Sequence, residues 1–198
     1  ELGNVPYIIP VGASDGIGLW GYISAAEELQ NDFWRADIDP SCIICATGSG
    51  GTQAGLTVGT KMLGLNASVL GFAVCDNAEY FHAKVQSDIT QWRREYPGHA
   101  KHLSFNTHVN DKYIGAGYAQ AGNEVLNTIA WVAREEGVIF DPVYTGKAFH
   151  GLLDEIKTGT FSADNDVVFI HTGGIFGLFP WRQRFNQLLN AQYIISDQ

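Results

Sequence analysis

Apolar residues fall along the chain in two alternating patterns. Short continuous runs at 6–11 (PYIIPV), 42–46 (CIICA), 68–74 (SVLGFAV), 138–140 (VIF) and 166–174 (DVVFIHTGG) predict strands. Between them apolar positions recur every three or four residues, which predicts helices over 16–33, 52–64, 78–96, 121–137 and 145–159. Pro97-Gly98, Gly137 and Gly159 supply stop signals for three of these helices. Short buried strands alternating with helices define an α/β domain with a mainly parallel sheet flanked by helices. In such a sheet ligands bind at the carboxyl ends of the strands. Three segments fall at such ends: 48–51, 141–144 and 173–174.

The segment Thr47-Gly48-Ser49-Gly50-Gly51-Thr52 separates a buried strand from a helix rich in small residues. Glycine allows positive φ and close backbone approach. Ser49 and Thr52 add hydroxyl donors, and the next helix offers free N–H groups and a partial positive charge. The loop therefore suits a phosphate monoester; a tight structural strand-to-helix turn is the other reading. It is not a Walker A loop, since Lys61 lies well inside the helix. Gln53 breaks a dinucleotide fingerprint, and Thr47 breaks a nucleophile elbow.

Composition narrows the class. The 198 residues suffice for one domain with a sizeable core, and 45% hydrophobic against 17% charged excludes a disordered chain. A net charge of −9 disfavours nucleic acid and anionic membrane as partners. No apolar run is long enough to span a bilayer, and no signal peptide is visible. Cys42 and Cys45 form a C-x-x-C, but within a strand they point to opposite faces, so buried reduced thiols are expected. With Cys75 as the third cysteine, a reducing compartment fits, either cytoplasm or an organellar matrix. His99-x-x-His102 lacks a third ligand in view, so no metal is expected. His171 reads as hydrogen-bonded scaffold.

Four segments together carry a resemblance: PYIIPVGASDGIGLWGYISAAEE, CATGSGGTQAGL, VIFDPVYTGKAFHGLLDEI and VVFIHTGGIFGLF. They resemble the D-cysteine desulfhydrase branch of the group that includes 1-aminocyclopropane-1-carboxylate deaminase. These are pyridoxal 5'-phosphate enzymes of the tryptophan-synthase-β-like fold, fold type II. The resemblance implies that Thr47, Gly48, Ser49, Gly50, Gly51 and Thr52 bind the cofactor phosphate. It implies that Tyr144 sits beside cofactor and substrate, that Tyr118 is a second active-site tyrosine, and that Thr172 faces the pyridine nitrogen. Thr145 and Thr172 become substrate-selecting positions, because deaminases carry Glu and Leu there. Asp15 stands where family members commonly have Asn. A tyrosine can serve in proton transfer if nearby charge depresses its pKa.

The family's aldimine lysine follows an asparagine, and none of Lys61, Lys84, Lys101, Lys112, Lys147 and Lys157 does so. Lys147 is expected to be a solvated or capping lysine. The chain is accordingly expected to be the C-terminal, mostly large-domain part of an incomplete enzyme, over 1–198. It would lack the N-terminal part that carries the lysine, leave apolar surface exposed, and be inactive alone. The implied substrate is a small amino acid, D-cysteine, converted to pyruvate, hydrogen sulfide and ammonia. A homodimer of the complete enzyme, or pairing with a missing N-terminal half, is implied. The alternatives are action on L-cysteate or aminocyclopropane carboxylate, or a non-catalytic anion-binding partner protein.

Overall fold

Four parallel strands order as β3-β2-β1-β4, so the chain starts at the centre of the sheet and builds outward on both sides. The computed structural model describes residue 3 and residues 5–162 and 165–196, with side chains to 189. The strands are β1 (Cys42–Thr47), β2 (Ser68–Ala73), β3 (His108–Asn110) and β4 (Val167–Phe169). The helices are α1 (Leu19–Ala36), α2 (Gly51–Met62), α3 (Ala78–Glu95), α4 (Asn123–Glu136), α5 (Thr145–Lys157) and α6 (Arg182–Ser196). A 3-10 segment, Ile175–Trp181, leads into α6.

All six residues of β1 are buried, as a central parallel strand covered on both faces requires. Ile43 and Cys45 pack with Leu56 of α2, and Ile44 and Ala46 pack with Ala148 and Leu152 of α5. Cys42 and Cys45 thus lie on opposite faces, and all three cysteines are unpaired. Burial pushes the Cys45 thiol up to about 12, which keeps it protonated and inert. On the α2 side, α1 approaches closely because Gly55 and Gly59 have no Cβ. A Cβ at Gly59 would fall 2.5 Å from that of Ala26. α3 completes this layer through Val85, Ile89 and Trp92. Burying each such large side chain contributes about 1.5–3 kcal/mol.

Two expected strands do not form among the described residues. Residues 6–11 are an exposed lead into a 3-10 turn at Val11–Ala13; their two prolines and lack of a neighbouring strand deny them a ladder. Residues 138–140 run extended into Asp141 without pairing. Both leave apolar side chains in solvent: Ile8 is 82% exposed and Ile139 47%. No helix among the described residues is long and apolar enough to cross a membrane.

At the far edge, Glu155 of α5 ties β3 to the sheet. Its carboxylate accepts from Asn110 Nδ2 (2.9 Å), Lys112 Nζ (3.1 Å), the Tyr113 hydroxyl (3.1 Å) and Thr160 Oγ1 (2.5 Å). The Thr160 hydroxyl does most to hold this carboxyl down at about 2, against the opposing pull of burial. The folded value lies below the ordinary one. The stability Glu155 contributes is therefore complete above about pH 4.5 and is lost as pH falls toward 2. Thermal unfolding followed from pH 6 down to about 2.5 should show a steeper fall of Tm for the wild type than for Glu155→Gln. Equal slopes would mean that this carboxylate is not coupled to folding.

Candidate active site

The carboxyl end of β1 turns through Gly48, Ser49 and Gly50 into α2. Gly50 adopts φ +94°, which a residue with a side chain rarely accepts. The first turn of α2 leaves N–H groups of Gly51, Thr52 and Gln53 without intrahelical acceptors. One of them, Gly51 N–H, donates to Ser14 Oγ at 3.0 Å. Ser14 Oγ itself donates to Ser49 Oγ at 2.7 Å. Thr52 stands half-buried in the same turn.

The second wall comes from the start of α5. Asp141, buried, collects the N–H groups of Val143, Tyr144 and Thr145 at 2.7–2.8 Å and the Thr145 hydroxyl at 2.7 Å. This acidic anchor fixes where Tyr144 emerges. The Tyr144 ring then lies against the glycine loop: a Cβ at Gly48 would be 2.7 Å from Tyr144 Cε1. The Tyr144 and Tyr118 hydroxyls meet at 2.5 Å, with their rings edge to face. Burial, then the Tyr118 hydroxyl, pushes the Tyr144 hydroxyl up to about 12. The condition for proton transfer by a tyrosine with a lowered pKa is thus not met at Tyr144. Burial therefore keeps the Tyr144 hydroxyl protonated.

Lys147 also departs from expectation. It is neither solvated nor a helix-end cap. It is 1% exposed, and its Nζ donates to the carbonyls of Val74 (3.3 Å), Ile114 (2.8 Å) and Gly117 (2.6 Å). Gly117 directly precedes Tyr118, so this buried ammonium pins the tyrosine loop to the end of β2. Desolvation lowers its pKa.

The structure brings Gly48, at the start of the loop 48–52, against the ring of Tyr144, and Tyr144 against Tyr118. It directs two hydroxyls elsewhere. Thr47 is buried and bonds Gln53 Oε1 at 2.9 Å, while Gln53 Nε2 reaches the His108 carbonyl at 2.7 Å. Thr145 is fully buried and bonded to Asp141. Thr172 is exposed at the exit of β4, just before Gly173-Gly174. Gly174 packs on Asp141, where an added Cβ would be 3.0 Å from Asp141 Cγ. His171 is scaffold: its Nδ1 accepts from Gly173 N–H at 3.0 Å, so Nε2 carries the proton donated to the Ile139 carbonyl at 2.9 Å. His99 packs edge-on to Trp20. Ser14 went unnoticed in the sequence, and Gln53 was read only as breaking a fingerprint, because nothing local marks either as a partner of the loop.

A glycine turn with hydroxyls at a helix N-terminus fits a phosphate, and a tyrosine ring resting on that turn defines the place of an attached aromatic ring. The family comparisons agree: residues 2–173 match the pyridoxal-phosphate dependent enzymes, and the chain belongs to that family. It is 41% identical over 180 residues to the mitochondrial bifunctional D-cysteine desulfhydrase/1-aminocyclopropane-1-carboxylate deaminase of Arabidopsis thaliana, covering 89% of this chain and 43% of the relative. It is 32% identical over 194 residues to a D-cysteine desulfhydrase of Klebsiella pneumoniae (strain 342), covering 90% and 53%. A crystal structure of a 1-aminocyclopropane-1-carboxylate deaminase homologue superposes with TM-score 0.81 at 34% identity, over 94% of this chain and 55% of the other. The chain spans about half the length of the curated relatives it matches.

Two substitutions test this geometry. Lys147→Met leaves three inward carbonyls unpaired and should cost about 2–4 kcal/mol, read as a lower urea midpoint. Gly48→Ala should displace the Tyr144 ring and cost about 1–3 kcal/mol, with changed Tyr144 ring resonances in the NMR spectrum. A neutral outcome for either would show that the contact is dispensable.

Proposed function

We propose that this chain supplies the cofactor cradle of a pyridoxal-phosphate dependent lyase that acts on D-cysteine, releasing pyruvate, hydrogen sulfide and ammonia. The observation that carries the reading is Tyr144 seated on Gly48 with its hydroxyl 2.5 Å from that of Tyr118. Bound pyridoxal phosphate supplies an electron sink for charge developing at the substrate Cα. The amides and hydroxyls of 48–52 hold the phosphate. Tyr144 would flank the ring, and the Tyr118–Tyr144 contact holds a proton on the Tyr144 hydroxyl. Thr172, proposed to face the ring nitrogen, offers a neutral partner. A neutral partner suffices for departure of a good leaving group such as thiolate.

Deaminase activity on aminocyclopropane carboxylate is the second reading, favoured by the dual name of the Arabidopsis relative. Position 145 speaks against it. A glutamate there would face the buried Asp141 carboxylate, where like charges repel. The lysine that anchors the cofactor is proposed to come from outside these 198 residues, so that they alone turn over nothing.

The test uses the 198-residue chain and a fusion of it behind the N-terminal half of the Klebsiella relative. The chain alone should release no sulfide from D-cysteine. The fusion should do so, and Tyr144→Phe should reduce that release by about 100-fold or more. Sulfide release by the chain alone would overturn the division of labour. A fusion that consumes aminocyclopropane carboxylate and leaves D-cysteine untouched would overturn the substrate.

A further inference from the structure

Behind the glycine loop lies a polar chain that ends on α3. Asp88 is 4% exposed, and both its carboxylate oxygens accept from Lys84 Nζ, at 2.5 and 2.6 Å. The same Nζ donates to the Ser14 carbonyl at 3.1 Å. Ser14 is itself buried, and its hydroxyl has a single hydrogen, which goes to Ser49 Oγ. A lone pair remains to receive Gly51 N–H. Lys84 also rests its stem against the loop, since a Cβ at Gly50 would lie 3.4 Å from Lys84 Cγ.

This order fixes hydrogens as well as heavy atoms. Ser49 Oγ accepts from Ser14, so the hydrogen of Ser49 is left to donate elsewhere, and the open side of the loop is where an anion would stand. We propose that Lys84, neutralised by Asp88, is a positioning residue for the phosphate loop: it holds Ser14, and Ser14 aims the Ser49 hydroxyl outward as a donor. The half-buried ammonium also places a positive charge behind the loop, and it compensates the buried Asp88 carboxylate. This inference rests on the phosphate reading of the loop for its ligand and on the hydrogen-bond chain for its mechanism.

Two measurements on the full 198-residue chain separate those supports. The first is amide hydrogen exchange at Gly51, with Ile44 as a core reference. Ser14→Ala and Lys84→Met should speed Gly51 exchange by about tenfold while leaving Ile44 unchanged, and Lys84→Arg should restore protection to within about threefold. The double variant Lys84→Met/Asp88→Leu removes the pair without leaving a buried charge, and should behave like Lys84→Met. Gly51 exchange unaltered in both Lys84→Met and the double variant overturns the positioning role. The second measurement compares binding of pyridoxal 5'-phosphate with that of pyridoxal by calorimetry. The phosphate-dependent preference should fall about fivefold in Lys84→Met and recover in Lys84→Arg. A wild type that binds the two compounds equally overturns the phosphate reading, while Gly51 exchange still decides the positioning role.

Discussion

The contact between Gly48 and Tyr144 holds the candidate site together, because it joins the end of β1 to the start of α5, which the chain reaches nearly a hundred residues apart. β1 delivers a loop whose glycine has no Cβ, and Asp141 delivers a ring that occupies that space. Neither half has a function by itself. A glycine turn without the ring is an anion site with no selectivity for what the anion is attached to. A tyrosine without the turn has no fixed distance from any ligand. The steric fit of 2.7 Å makes the two interdependent, so the loop conformation and the tyrosine position must be kept together.

Polar groups do the tethering around this contact, and most of them are buried. Gln53 links β1 to β3, Lys147 links β2 to the tyrosine loop, and Asp88 with Lys84 links α3 to Ser14. Buried polar groups are costly unless fully bonded. Each of these makes at least two bonds, and each crosses between separate elements. That arrangement suits the carboxyl ends of parallel strands, where several loops meet and apolar packing from the sheet runs out.

The central elements were legible in the sequence because their own residues dictate them. β1, β2, α2, α3 and α5 fall within about two residues of expectation, since continuous apolar runs and 3.6-residue periodicity are local signals. β3 was not legible: His108-Val109-Asn110 has no apolar run and becomes a strand by pairing with Leu70–Phe72. Residues 6–11 mislead for the opposite reason, having a strand's composition with no strand beside them. In the site, Gly48 and Tyr144 could be read because glycine clusters and a motif mark them. Lys147 was misjudged because a sequence shows a lysine's type but not the three carbonyls that converge on it.

Thr145 supports the wall behind Tyr144 with a hydroxyl that both donates and accepts. Its hydroxyl donates to Asp141 Oδ1, and it also accepts Asp141 N–H at 3.0 Å. A carboxylate in its place could accept that N–H but could not donate, and would set a second negative charge against a buried first one. Relief would require the side chain to swing out toward the opening, carrying an acid into the cleft beside Tyr144. A hydroxyl residue at 145 therefore keeps the cleft free of an acid there. Next to it, burial keeps the Tyr144 hydroxyl protonated.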